Sequence, residues 1–110
     1  MFEKIVAIFG LPRSGTSWIS QIVNSSPVVN FRYQPLFSYA FKNLVNEDST
    51  KEEFTDFFRK IYLSEDDFLL QSDQKARKHY PEFFKATNRP YLAFKEVRHH
   101  YVLPKMLHQF

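Results

Sequence analysis

The residues best suited to chemistry lie in one short segment near the amino terminus, Gly10-Leu-Pro-Arg-Ser-Gly-Thr-Ser17. It contains both glycines of the chain, the cation Arg13 and three hydroxyl groups, and it directly follows the apolar run Lys4–Phe9. Glycine accepts positive φ angles and lets the backbone approach a ligand closely. The first N–H groups of a helix have no partners within that helix, so they can bind an anion. The segment therefore predicts a loop between a strand and a helix that wraps a phosphate group.

The spacing of the two glycines is that of the nucleotide-binding P-loop, G-x-x-x-x-G-K-[ST]. Thr16 stands where that pattern has its lysine, and Arg13 places a cation inside the loop instead. The later apolar run Tyr91–Val97 contains Lys95 and Glu96, and it does not end on an acid that could hold a metal. Both departures weigh against a metal-dependent ATPase. A P-loop kinase-like phosphotransferase stays open as an alternative.

The segment Gly10–Trp18 closely resembles the 5′-phosphosulfate loop of sulfotransferases that use 3′-phosphoadenosine 5′-phosphosulfate (PAPS). Proline, a cation, serine, glycine, two hydroxyl residues and tryptophan all fall in register. Phe31–Phe37 resembles the segment after the second strand in the carbohydrate-type branch of this family, and Phe94–Arg98 resembles its third strand. The resemblance leaves roughly residues 40–90 unplaced.

The resemblance implies transfer of a sulfuryl group from PAPS to a hydroxyl or amine acceptor, without a metal. Negative charge builds up on the leaving nucleotide, so a fixed cation such as Arg13 and oriented N–H groups would stabilise the transition state. The implied donor-binding residues are Arg13, Ser14, Gly15, Thr16, Ser17 and Trp18. Trp18 would lie against the adenine, although it could equally be an ordinary helix core residue. The implied partners are the nucleotide donor and a small-molecule or carbohydrate acceptor.

The general base has three candidates, Glu96, His99 and His100. Glu96 is the first choice, because a carboxyl group in an otherwise apolar strand is costly to bury without a task or a partner. A salt bridge to a neighbouring cation such as Lys95 is the alternative explanation. Gln34 stands where the carbohydrate-type branch often has glutamate, which removes one further base. The two histidines would point to opposite faces of a strand, so a zinc pair is not expected.

In this family an arginine and a serine that hold the 3′-phosphate follow the next strand, which would lie beyond Phe110. We therefore expect residues 1–110 to form the N-terminal part of a single sulfotransferase-like domain, without the 3′-phosphate-binding part. The missing C-terminal part is a candidate partner. A non-catalytic fragment whose loop only binds an anion is a further alternative.

Short apolar runs alternate with helical patterns, which is typical of a parallel sheet with helical crossovers. Strands are predicted at Lys4–Phe9, Val28–Phe31 and Tyr91–Val97, the first of them buried on both faces. The expected fold class is α/β: three layers, a parallel sheet flanked by helices, P-loop NTPase-like and incomplete.

Four helices are predicted. One has the apolar stripe Phe54, Phe57, Phe58, Ile61 and Tyr62, and a capping box formed by Ser49 with Glu52 or by Thr50 with Glu53. The others run from Gly15 to about Asn24, from Pro35 to about Asn46, and onward from Pro104. The helix from Gly15 to about Asn24 is predicted to have an apolar face that consists of Trp18, Ile19, Ile22 and Val23.

Composition sets broader limits. The 110 residues are 44% hydrophobic and have a formal net charge of +3, which fits one small domain. Basic residues are interleaved with acidic ones, so nucleic acid is not an expected partner. The chain has no cysteine, which excludes disulfides and thiolate metal sites. The apolar run Ile5–Phe9 is too short to span a membrane and lacks a signal-peptide pattern, so a cytoplasmic location is expected.

Overall fold

Three strands form one parallel sheet in the computed structural model of the chain, which describes residues 2–11 and 15–110. The strands are β1 (Lys4–Phe9), β2 (Val29–Tyr33) and β3 (Tyr91–Glu96), and their order across the sheet is β1-β3-β2. Both outer strands run parallel to β3. The predicted α/β class with a parallel sheet is confirmed.

Five α-helices and two short 3-10 turns accompany the sheet in the part of the chain that the structure describes. The helices are α1 (Thr16–Asn24), α2 (Lys51–Leu63), α3 (Asp67–Leu70), α4 (Ser72–Ala76) and α5 (Leu103–Gln109), and the turns are Pro35–Phe37 and His100–Val102. None of these described helices has the length and apolar character needed to cross a membrane.

Strand β3 is the buried centre of the molecule, and its side chains alternate between two apolar clusters. Leu92 and Phe94 belong to the larger cluster, together with the buried residues of α2 and with Met106 of α5. Ala93 belongs to the smaller cluster, which α1 covers through Val23. Successive residues of β3 therefore face different helices.

Helix α2 forms as its sequence predicts. The hydroxyl oxygen of Thr50 accepts a hydrogen bond from the Glu53 N–H at 3.2 Å, and the Glu53 carboxylate accepts one from the Thr50 N–H at 2.9 Å. This is the second of the two predicted capping boxes. The predicted stripe is confirmed too, since four of its members are fully or almost fully buried: Phe54, Phe57, Phe58 and Ile61.

Strand β1 forms where it is predicted, but it is not buried on both faces. It lies at an edge of the sheet, and Lys4, Val6 and Ala7 are exposed. A continuous apolar run shows that a strand has two apolar faces. It does not show that another element of the described chain covers them.

The helix predicted from Pro35 to about Asn46 does not form. The backbone makes one 3-10 turn at Pro35–Phe37 and becomes extended at Ser38. The Ser38 hydroxyl donates to the Pro35 carbonyl at 2.7 Å and accepts from the Phe41 N–H at 3.2 Å. A serine that bonds to nearby backbone in this way replaces helical hydrogen bonds with a turn.

The predicted apolar face of α1 is wrong. The buried side chains of this helix are polar and spaced four residues apart: Thr16, Ser20 and Asn24. Three of the four residues predicted to face the core are exposed instead, namely Trp18, Ile19 and Ile22. Small polar side chains let the helix approach the sheet closely, and this contact, rather than the number of apolar groups, selects the buried face.

Candidate functional site

Helix α1 begins directly after Gly15, the glycine that the loop motif places at a helix start. Its φ of 90° and ψ of 7° are left-handed. A β-carbon at Gly15 would meet no atom of the described residues within 4 Å, so the need for glycine comes from the backbone conformation itself. The first N–H groups of the helix have no intrahelical partners, and among the described residues no side chain caps them. This helix start is open to an anion.

A cleft of about 460 Å³ opens at the start of α1. We call it the loop cleft, and it is lined by Gly15, Thr16, Ser17, Trp18, Gln34, Lys95 and Val97. Four of these seven residues are predicted donor-binding residues, and the structure brings them together. Arg13 and Ser14, the other two, lie outside the described residues.

The loop cleft contains a cation that the motif does not include. The Lys95 side chain is buried, and its Nζ donates a hydrogen bond to Ser17 Oγ at 2.8 Å and lies 5.2 Å from the centre of the Tyr33 ring. Burial lowers the pKa of Lys95. In the described parts of the chain, no acidic side chain forms a salt bridge with it. From the sequence, strand alternation predicts that Lys95 and Glu96 lie on opposite faces of the strand, but it does not predict that Lys95 contacts Ser17.

Two further residues shape the loop cleft. The Trp18 side chain is 71% exposed, so its interpretation as a helix core residue is wrong. Its flat indole can therefore stack on a ring. Gln34 is a buried non-glycine residue with a φ of 42°, and its N–H donates to the Lys95 carbonyl at 2.9 Å. Left-handed backbone at such a residue is energetically unfavourable and often marks a functional site.

The structure does not bring Glu96 into the loop cleft. Its side chain is fully buried on the opposite face of β3, where Oε2 accepts a hydrogen bond from the Leu36 N–H at 2.8 Å. Burial raises the pKa of Glu96 to about 8, against the effect of that hydrogen bond. Its Oε1 is buried without a hydrogen-bond partner among the described residues. The alternative salt bridge to Lys95 does not form either.

His99 and His100 follow β3, which ends at Glu96, so the argument from strand alternation against a zinc pair does not apply to them. Burial lowers the pKa of His99, and the nearby Arg98 and His100 add to the effect. Its Nδ1 is buried without a hydrogen-bond partner in the described chain. The described residues contain no group of three or more histidine and acidic side chains that could hold a metal ion.

His99 lines a second cleft of about 380 Å³, which we call the aromatic cleft. Its other lining residues are Leu36, Phe37, Tyr39, Lys42, Asn43, Val45 and Tyr101. The two clefts are neighbours along the chain, since Gln34 and Val97 line the first while Leu36 and His99 line the second.

No protein-family model matches this chain, and no curated protein or solved structure matches it. The functional assignment therefore depends on the residues of the loop cleft and on their geometry.

Proposed function

We propose that this chain transfers a sulfuryl group from PAPS to a hydroxyl or amine acceptor, and that the loop cleft binds the 5′ end of the donor. The observation that carries the proposal is the contact between Lys95 Nζ and Ser17 Oγ, at 2.8 Å. It places a buried cation against the first turn of a helix whose first N–H groups are not capped by any side chain of the described residues. The P-loop NTPase-like, three-layer assignment of the fold is part of the same proposal.

The chemistry of sulfuryl transfer fits this arrangement. The acceptor oxygen or nitrogen forms a new bond to sulfur, and the bond between sulfur and the bridging oxygen of the nucleotide breaks with its electron pair going to the nucleotide. Negative charge therefore grows on the 5′-phosphate. Lys95, the N–H groups that begin α1 and the hydroxyl groups of Thr16 and Ser17 would stabilise that charge, and Arg13 would add a second cation.

Trp18 gives the loop cleft a place for the base of the nucleotide. Its indole projects from the first turn of α1 and is largely uncovered. Stacking of a purine on an aromatic side chain contributes roughly 1 to 3 kcal/mol. An exposed tryptophan next to the anion-binding groups is what a nucleotide donor needs, and a simple sulfate or phosphate ion would not use it.

The acceptor's proton must go to a base, and the geometry favours His99 over Glu96. His99 lines the aromatic cleft, and burial lowers its pKa, which favours the neutral imidazole that a general base needs. Glu96 keeps its own proton below about pH 8 and is closed off from solvent. The catalytic role of Glu96 stays a prediction. In this structure its carboxyl group positions the turn at Leu36.

Binding of the nucleotide product is the direct test. The chain has one tryptophan, so its fluorescence should change when 3′-phosphoadenosine 5′-phosphate is titrated in without magnesium. A charge-assisted hydrogen bond contributes about 1.5 to 3 kcal/mol, so Lys95→Met should weaken binding roughly 10- to 100-fold. Lys4→Met, which removes an exposed lysine of β1, is the matched control and should bind as the unmodified chain does.

Three outcomes would contradict the proposal. The nucleotide could leave the fluorescence unchanged, or Lys95→Met could bind it as well as the Lys4→Met control. Alternatively, ATP with magnesium could produce the change while the 3′-phosphorylated nucleotide does not, which would favour a phosphotransferase. Circular dichroism of both variants checks that they remain folded.

A further inference from the structure

A separate cavity of about 380 Å³ lies at the far end of α1 from the loop cleft, where β2 begins. Asn24, the last residue of α1, and Asn30 of β2 are among its lining residues. The charged residues that line it are four cations and one acid: Arg32, Lys75, Lys85, Arg89 and Glu82. We call this the basic cavity. Nothing in the proposed sulfuryl transfer uses it.

Two arginines of the basic cavity share one hydrogen-bond acceptor. Asn30 Oδ1 accepts from Arg32 Nη1 at 3.1 Å and from Arg89 Nη1 at 3.0 Å. The two nitrogen atoms are therefore no more than about 6 Å apart, with only a neutral amide oxygen between them. Within the described ranges, none of the four cations forms a salt bridge.

Helix capping accounts for two of the four cations. Arg32 donates from all its side-chain nitrogens, and three of its hydrogen bonds go to the carbonyls of Ile61, Tyr62 and Ser64 at the end of α2. The Lys85 ammonium group donates to the carbonyls of Asn24 and Ser26 at the end of α1. Cations at helix C-termini stabilise the helix dipole. These two side chains have a structural reason to be there.

Helix capping does not account for Lys75. In the described chain its Nζ makes no hydrogen bond, yet it is partly buried at the wall of the cavity. Arg89 is only partly accounted for, because Nε donates to the Ala86 carbonyl and Nη1 to Asn30 while Nη2 has no partner among the described residues. Lys75 Nζ and Arg89 Nη2 could therefore donate hydrogen bonds to a bound oxyanion.

The electrostatics of the cavity also favour a bound anion. Burial and, to a smaller extent, the positive charges of Arg89, Lys75 and Arg32 together lower the pKa of Lys85 to about 8. Burial also lowers the pKa of Lys75. The negative charge of Glu82 raises this pKa, and the positive charge of Arg32 lowers it. Cations that destabilise one another in this way gain from an anion placed between them.

We propose that the basic cavity binds the phosphate or sulfate group of a small molecule, held by Lys75, Lys85 and Arg89. Doubly charged oxyanions accept several hydrogen bonds from lysine and arginine. The unpartnered donors of Lys75 and Arg89 match this, and Lys85 has a third N–H besides the two that cap α1. The cavity volume suits one small molecule. The nine residues of α1 separate this site from the loop cleft by roughly 13 Å, so the two are distinct sites.

Phosphate titration followed by NMR tests the proposal, because amide resonances tell the two sites apart. Inorganic phosphate is added to the ¹⁵N-labelled chain at constant ionic strength, with chloride as the reference salt. We expect saturating shifts at Ser72, Lys75, Lys85 and Arg89. The same shifts should persist in Lys95→Met, which disables the loop cleft. Binding should weaken between pH 7 and 9 as Lys85, whose pKa is about 8, loses its proton. The other charged groups that line the cavity are Arg32, Lys75, Glu82 and Arg89.

Lys75→Met is the decisive variant, because Lys75 makes no hydrogen bond in the described chain and its loss should leave the fold intact. It should weaken phosphate binding at the basic cavity about tenfold or more. Lys105→Met, a change on α5, should leave it unaltered. The proposal is overturned if phosphate and chloride produce the same shifts, if only the loop cleft responds, or if Lys75→Met binds like the Lys105→Met control.

Discussion

Two neighbouring residues of β3, Lys95 and Glu96, are buried ionisable groups with different surroundings. Lys95 faces α1 and donates to Ser17 in an open cleft, whereas Glu96 faces the core side and accepts from the Leu36 amide. Burying either charge is unfavourable without compensation. A bound anion would compensate Lys95. Glu96 avoids the cost by keeping its proton.

The carboxyl group of Glu96 makes stability depend on pH. Burial raises its pKa from 4.5 to about 8, so between these values the folded chain holds a proton that the unfolded chain has lost. The contribution of Glu96 to the free energy of unfolding should therefore be largest below about pH 4.5 and should fall as pH rises towards 8, by up to about 1.4 kcal/mol per pH unit. Urea unfolding at pH 5, 6.5 and 8 measures this fall. Glu96→Gln should reduce it.

The matched control is Glu47→Gln, which changes an exposed glutamate and should leave the pH dependence as it is. If Glu96→Gln and the unmodified chain lose stability in parallel between pH 5 and 8, the buried carboxyl group is ionised throughout and the interpretation fails.

At the level of elements, α1 connects the two proposed anion sites. Its first turn forms the loop cleft, and its last residue, Asn24, borders the basic cavity. Its polar face, formed by Thr16, Ser20 and Asn24, lies against the sheet. This contact fixes the orientation of α1 and therefore the positions of both its ends. The start of α1 depends on the left-handed backbone at Gly15, so that glycine should control both stability and anion binding at the loop cleft.

Substitutions at Gly15 should follow the cost of left-handed backbone. A non-glycine residue in that region costs roughly 1 to 2 kcal/mol, and asparagine tolerates it best. We expect Gly15→Val to lower the free energy of unfolding the most and Gly15→Asn the least. Gly15→Ala should lower it by about 1 to 2 kcal/mol. Urea unfolding measures the order. Because a β-carbon at this position meets no described atom within 4 Å, equal losses for all three would contradict a backbone origin.

For the whole molecule, stability depends on the packing of α2 against β3. Phe57 is 1% exposed, and its ring lies 5.8 Å from that of Phe58 and 6.3 Å from that of Phe94, measured between ring centres. Both neighbours also belong to the larger core cluster. These three aromatic residues thus form part of the interior between α2 and β3.

Truncating that interior should be costly. Phe57→Ala should lower the free energy of unfolding by about 3 to 5 kcal/mol, because it leaves a cavity between α2 and β3. Phe84→Ala is the matched control, since Phe84 is 78% exposed, and it should change stability by less than about 0.5 kcal/mol. Calorimetry or urea unfolding distinguishes the two. Similar losses for both variants would mean that this core is not the main source of stability.

Much of the loop cleft is already evident in the sequence. The loop motif predicts a strand, a glycine and a helix start in that order, and β1, Gly15 and α1 follow it. The motif says nothing of Lys95, because that residue lies 78 positions from Ser17 and the parallel pairing of β1 with β3 brings them together. The basic cavity was missed for the same reason, since its cations come from β2, α4 and the segment before β3.

The sequence by itself determined the features that depend on near neighbours in the chain. The capping box and apolar stripe of α2 are of this kind, as are the positions of the strands, because capping and periodicity act within a few residues. Only the tertiary structure decided which face of α1 is buried and that Glu96 points away from the loop cleft. These outcomes depend on which elements pack together, and no local pattern encodes that choice.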